Sequence, residues 1–180
     1  MNKKKESAME QLIKSRIRDI PDFPKPGILF KDITPILSDT RAFRTVIEAL
    51  AERYKDKKVD AIVGIESRGF LFGAPLAYQL GVSCVPVRKK GKLPYKTTEV
   101  SYDLEYGSAT IEMHTDAISH GHRVVVVDDL LATGGTAAAA CELVKKQGGH
   151  VLECAFVVEL AFLNGRDKIK SDVHALVKYS

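Results

Sequence analysis

Residues Arg123–Ala140, RVVVVDDLLATGGTAAAA, decide how this chain is read. Four consecutive valines, Val124 to Val127, suit a central strand covered on both faces, as in parallel sheets. The alanine-rich continuation through Cys141, Leu143 and Val144 favours helix. Between them the turn around Thr133, Gly134, Gly135 and Thr136 gathers backbone N–H groups and hydroxyls at a helix N-terminus, where unpaired donors and the helix dipole favour an anion. Asp128 and Asp129 stand immediately before it. Carboxylates repel a bare phosphate, so the pair is read as facing another part of the same ligand, either a sugar cis-diol or a bound cation. A phosphosugar satisfies both halves, with its phosphate on the turn and its hydroxyls on the acids. The spacing is not that of a Walker A loop, because no Gly-Lys-Ser/Thr follows the first glycine at the required interval, nor that of a G-x-G-x-x-G fingerprint. The plainer alternative is an ordinary strand–turn–helix in which the glycines serve backbone geometry and Thr136 caps the helix. Two acids, two threonines and two glycines packed between Asp128 and Thr136 favour the ligand site.

Working outward, strand and helix signals alternate. Glu6 to Arg18 carries Met9, Leu12, Ile13 and Ile17 at helical spacing, and Pro21, Pro24, Pro26 and Gly27 then impose an irregular segment ending at Phe30. Asp39 or Thr40 can cap a second helix with Phe43, Val46, Ile47, Leu50 and Tyr54 on one face. Val59 to Ile65 reads as a buried strand leading through Glu66, Ser67, Arg68 and Gly69 into a helix that stops at Gly81. Further strands are expected at Val82 to Val87, Val151 to Val158 and Val173 to Tyr179, and Ala109 to His114 is one arm of a hairpin. Arg88 to Glu105 is a long stretch, basic at first and rich in turn signals. Such alternation predicts a mainly parallel sheet flanked by helices, with ligands at the carboxyl ends of the strands. Both candidate loops, Glu66 to Gly69 and Asp128 to Thr136, fall at that edge.

Composition narrows the class. At 180 residues, 45% hydrophobic and 28% charged, the chain suits one soluble globular domain. A net charge of +4 is too slight to imply nucleic-acid binding. Cys84, Cys141 and Cys154 form no C-x-x-C pair and are expected to be buried free thiols in a reducing compartment. His120-Gly121-His122 has no partner at zinc-like spacing and reads as a turn. Lys3, Lys4 and Lys5 precede no apolar run of signal-peptide type, and no stretch is long enough to span a bilayer, so a cytoplasmic protein with no membrane partner is expected.

The valine strand with Asp128, Asp129, Ala132, Thr133, Gly134, Gly135 and Thr136 resembles the phosphoribosyl diphosphate (PRPP) signature of the type I phosphoribosyltransferases. Four other blocks resemble the adenine phosphoribosyltransferase family: Phe23 to Pro35, Glu66 to Phe70, Arg88 to Pro94 and Tyr102 to Gly107. They run in family order from about Phe23 to Glu159. The resemblance implies a single type I phosphoribosyltransferase domain over 1–180, with a hood at about 1–35 and a flexible loop at about 89–108. It also implies a purine-salvage reaction in which adenine and PRPP give AMP and diphosphate, with magnesium held mainly by PRPP and water, in a homodimer.

By the same resemblance, residues 132–136 hold the 5′-phosphate, and Asp128 and Asp129 face the ribose hydroxyls. Ser67 and Arg68 meet the diphosphate, with Arg88, Lys89 and Lys92 reaching it from the same or a neighbouring subunit. Glu105 serves as the acid–base carboxylate near N7 of the base, in a loop that can close over the site. Phe30 and Leu130 match the positions that sandwich adenine, and main-chain groups around Leu29 and Lys31 select it. The bland counterparts are core packing for Phe30 and Leu130, an exposed strand residue for Glu105, and a solvated basic loop for Arg88 to Lys92. Asp32 is read as structural. A phosphoribosyltransferase-fold regulator of nucleic acid would need a DNA-binding segment and a strong basic face, and neither is evident. A transferase for another base would differ only in the Phe23 to Lys31 segment.

Overall fold

The computed structural model describes residues 3–103 and 107–180, which form two compact units, 1–49 and 50–180. In the first unit, α1 (Lys3–Lys14) is followed by a two-stranded antiparallel ribbon of β1 (Arg18–Ile20) and β2 (Phe30–Asp32) and a short helix, α2 (Thr34–Ser38). The sequence periodicity extends the first helix to Arg18. The chain instead leaves it at Lys14 so that Arg18 pairs with Asp32 across the ribbon. Asp32 accepts from Arg18 at 2.6 Å and from Thr34 N–H at 2.9 Å and Oγ at 2.7 Å. Burial works against its charge, but these donors win and hold the carboxyl down at about 2. Asp32 is thus a fastening of the ribbon. The next helix, α3 (Thr40–Tyr54), is capped as expected: Asp39 Oδ1 accepts from Ala42 N–H at 2.9 Å.

In the second unit, β3 (Ala61–Ile65), β4 (Ser83–Lys89), β5 (Thr97–Asp103), β6 (Ser108–His114), β7 (Arg123–Leu131), β8 (His150–Leu160) and β9 (Val173–Tyr179) form one sheet in the order β5-β6-β4-β3-β7-β8-β9. The pairings β3/β4, β3/β7, β7/β8 and β8/β9 are parallel, and the β5/β6 hairpin adds antiparallel pairs at one edge. The valine strand lies in the middle, with all four valines buried. Because side chains alternate across a strand, its neighbour β3 feeds both covers. Ala61, Val63 and Ile65 join the core beneath α5 (Gly135–Lys146), while Ile62 and Gly64 meet α4 (Gly69–Leu80), where a Cβ on Gly73 would stand 3.4 Å from Gly64 Cα. His120 to His122 forms the expected turn, with Gly121 at φ +82° and its N–H on Gly148 O at 2.8 Å.

The expectation of three buried thiols fails at one of them. Cys141 and Cys154 are buried, with Sγ atoms 3.2 Å apart, but Cys84 is exposed. At Cys84, β4 pairs with β3 alone, because β6 joins only at Arg88 and Lys89. An apolar run in sequence therefore becomes a half-open edge in the sheet. Among the described residues no helix is long and apolar enough to cross a membrane.

Candidate active site

The carboxyl ends of β3, β4 and β7 open into a cleft of about 660 Å³ lined by Glu66, Ser67, Arg68, Lys89, Tyr102, Asp128, Asp129, Leu130, Ala132 and Thr136, among others. Beside it is a recess of about 90 Å³ whose lining includes Thr133, Gly134, Gly135 and Thr136. The two loops picked out in the sequence thus share one opening. Gly69 is what allows this: a Cβ there would sit 2.7 Å from Val127 O and 2.9 Å from Asp128 Oδ1. Its absence lets the start of α4 lie directly on the end of the valine strand.

The phosphate-type turn is built by glycine in the same way. Gly134 has φ +79° and precedes α5, whose first closing bond runs from Ala138 N–H to Gly134 O at 2.9 Å. Thr136 therefore does not cap the helix, contrary to the plainer reading. It lies within the first turn, and its Oγ is 3.0 Å from the Tyr102 hydroxyl. Gly165 backs the turn from the other side, and a Cβ on Gly134 would fall 2.0 Å from its carbonyl oxygen. Sequence reasoning missed Gly165, although Asn164-Gly165 is a turn signal.

Asp128 and Asp129 sit at the junction. Asp129 N–H donates to Asp128 Oδ1 at 2.9 Å, and Arg68 Nε lies 2.8 Å from Asp129 Oδ2 without the alignment of a hydrogen bond. Burial, followed by the charge of Asp129, raises the pKa of Asp128 well above the usual carboxylate range. Burial raises Asp129 too, against the pull of Arg68. Both carboxyls are therefore under pressure to find a donor or a cation. Among the described residues no three metal-capable side chains converge. Two adjacent carboxylates near an open cleft suit a hard cation that keeps most of its shell as water and ligand oxygens.

The basic segment divides. Lys89 lines the cleft, whereas Arg88 is turned to Glu66, with Nε 3.2 Å from its Oε2, and donates to Lys92 O at 3.0 Å. Lys92 Nζ lies 3.7 Å from Glu66, which also accepts Lys89 N–H at 3.0 Å. Burial opposes the charge of Glu66, but the Lys89 N–H and Arg88 keep its pKa below the ordinary value. Glu112 accepts the N–H groups of Lys92 and Leu93, each at 2.9 Å, and so ties down the same loop. Half-buried Glu66 and buried Glu112 hold the basic loop in place, and a lone Glu in a strand or just after one carries no sequence signal for that role. Leu130 is half-buried at the cleft. Leu29, Phe30 and Lys31 lie in the 1–49 unit, where Phe30 meets Phe23 edge-on at 5.1 Å and Lys31 Nζ is 2.6 Å from Asp19. Glu105 lies outside the described residues.

The chain matches the family model described as phosphoribosyl transferase domain over residues 33–177. Among relatives, it is 56% identical over 170 residues to adenine phosphoribosyltransferase of Chloroflexus aurantiacus, covering 94% of this chain and 98% of that protein. Among solved structures, adenine phosphoribosyltransferase of Rhodothermus marinus superposes with a TM-score of 0.91 at 50% identity, covering 96% of this chain and 99% of that one. The Saccharomyces cerevisiae enzyme, solved with an imino-altritol bisphosphate and adenine, gives a TM-score of 0.90 at 46% identity, covering 94% and 99%. With this agreement along nearly the whole chain, and with a cleft at the strand ends that unites the two loops, the chain belongs to the adenine phosphoribosyltransferase family of phosphoribosyl transferase domains.

Proposed function

We infer that this chain is a purine-salvage enzyme that transfers the 5-phosphoribosyl group of PRPP to adenine, giving AMP and diphosphate. The observation that carries the reading is the single cleft in which a phosphate-type turn, paired carboxylates and the Ser67–Arg68 loop converge. The yeast relative was solved with adenine, which supports the choice of base.

The reaction breaks the anomeric C–O bond through an oxocarbenium-like state, so catalysis consists mainly of alignment and of neutralising the departing diphosphate. In our reading, Ala132, Thr133, Gly134, Gly135 and Thr136 hold the 5′-phosphate with backbone N–H groups and hydroxyls. Asp128 and Asp129 take the ribose hydroxyls. Ser67, Arg68 and Lys89 meet the diphosphate, and Arg88 and Lys92 reach it once released from Glu66. Glu105 handles the proton near N7 of adenine. Leu29, Phe30, Lys31 and Leu130 receive the base, with Phe30 and its exposed neighbours Leu29 and Phe23 offering the apolar surface an adenine ring needs. Magnesium, when bound to PRPP, would neutralise diphosphate charge. Asp128 and Asp129 would supply the protein oxygens that such an ion takes, the rest of its shell being PRPP oxygens and water.

The domain plan is a single phosphoribosyltransferase domain, with its hood at about 1–35 and its flexible loop at about 89–108. A homodimer suits the exposed Leu71 and Tyr78 on α4, and a cytoplasmic setting suits three unpaired thiols. The deciding experiment is a base panel with PRPP and magnesium, read by diphosphate release and nucleotide identity. Adenine is expected to give the highest kcat/KM and AMP as product. A higher value with hypoxanthine or guanine would refute the base assignment, and no diphosphate with any base would refute the chemistry.

A further inference from the structure

Tyr102 has no part in the reaction as described, yet it makes two contacts with the phosphate turn. Its ring lies over Gly135, where a Cβ would come within 3.3 Å of Tyr102 Cδ2, and its hydroxyl is 3.0 Å from Thr136 Oγ. We propose that Tyr102 is a positioning residue for the donor's 5′-phosphate: its phenol donates to Thr136 Oγ and so commits the threonine's own proton to the anion. The inference rests on the placement of the 5′-phosphate on this turn.

The argument concerns protons. Each hydroxyl has one proton and two acceptor sites, so of the Tyr102–Thr136 pair only one can donate to the other. A threonine that donates to tyrosine has nothing left for a phosphate, which under these conditions only accepts. Once the turn is occupied, the arrangement that satisfies every group runs from phenol to Thr136 Oγ and from Thr136 O–H to phosphate oxygen. The second bond is charge-assisted and polarises the first. In the arrangement that the structure shows, the phenol stands where that bond needs it. Strand β5, which carries Tyr102, and its partner β6 are fastened to the far end of α5 by Lys146 Nζ on Glu99 O at 3.2 Å and Gln147 Nε2 on His114 O at 2.8 Å. With that end tied, the ring rests on the helix's first turn, at the only kind of residue there, a glycine, that leaves room for it.

The test is a double-mutant cycle with Tyr102→Phe and Thr136→Val, read by the Kd for ribose 5-phosphate and by KM and kcat with PRPP and adenine. Tyr102→Phe keeps the ring on Gly135 and removes only the donor. It is expected to weaken ribose 5-phosphate about fivefold, the effect of one net hydrogen bond, with a larger change in KM for PRPP than in kcat. In the Thr136→Val background the same change should have almost no further effect, because the group it acts through is gone. Equal effects in both backgrounds, or a Tyr102→Phe protein that binds ribose 5-phosphate as tightly as the parent, would overturn the proposal. If Tyr102→Phe does not fold, 3-fluorotyrosine at position 102 decides. Its fluorine resonance should move when ribose 5-phosphate saturates the protein and stay still in the Thr136→Val variant, and a resonance unmoved in the parent overturns the proposal. A parent chain that binds ribose 5-phosphate but releases no diphosphate with adenine would refute the adenine assignment and leave this one standing.

Discussion

Gly134→Ala is the most revealing single change, because the structure supplies both of its costs and a control that separates them. Gly134 has φ +79°, and an L-residue held there costs about 1–2 kcal/mol relative to glycine. The new Cβ would also lie 2.0 Å from Gly165 O, a backbone atom that cannot rotate away. The contact is tight in both directions, since a Cβ on Gly165 would fall 2.1 Å from Ala132 O. One of the two segments must therefore shift, which as overpacking costs a further ~1–3 kcal/mol. The sum, roughly 2–5 kcal/mol, corresponds to a fall in Tm of about 4–20 °C for a chain of this size. Gly121 has the same hand of backbone, φ +82°, but nothing within 4 Å of its would-be Cβ. Gly121→Ala should therefore show the conformational cost alone. Differential scanning calorimetry of the two variants isolates the collision, and titration with ribose 5-phosphate should show weakened binding only in Gly134→Ala. Equal losses of Tm in the two variants, or unimpaired binding by Gly134→Ala, would show that the Gly165 contact does not shape the turn.

Asp128→Asn should separate stability from binding. Burial and the charge of Asp129 raise the Asp128 pKa, so its ionisation costs stability as pH climbs from the ordinary carboxylate value through the raised one. The asparagine form is expected to melt at or above the parent at pH 7, by a margin that shrinks at pH 4, while PRPP binds about tenfold or more weakly. Undiminished affinity would exclude the ribose-hydroxyl role, and a lower Tm at pH 7 would exclude the buried-charge argument. Away from the site, burial, and after it the charge of Arg53, lowers the His174 pKa to about 4. An unfolded histidine takes its proton near 6.5, so stability should be lost as pH falls from about 6.5 to 4, by at most ~3 kcal/mol. Melting curves across that window should show a shallower acid slope in His174→Gln, and an unchanged slope would clear His174 of the effect.

The valine strand, the two loops after strands and the helix-capping Asp39 were legible because each depends on a local pattern: an apolar run, a glycine-rich turn, a side chain three residues from its partner. The phosphosugar proposal for Asp128 to Thr136 likewise rests only on the order of acids, hydroxyls and glycines. The β1/β2 ribbon was not legible, because the Arg18–Asp32 register that ends α1 early joins positions with no shared periodicity. Cys84 was misjudged for a related reason. Its apolar neighbours mark a strand but not how far the next strand extends alongside it. Glu112 and Gly165 escaped notice, and Glu66 was read only as part of its loop, because their work lies in partners distant along the chain.

By itself, then, the sequence determined the order of acids, hydroxyls and glycines in the turn and the edge of the sheet at which that turn stands, since these are short-range patterns written in consecutive residues. Only the tertiary structure decided how the turn is held. Gly69 lies on Asp128, Gly165 lies against Gly134, and the Tyr102 ring covers Gly135. A glycine in a sequence records that a side chain is missing there; what fills the space arrives from elsewhere in the fold.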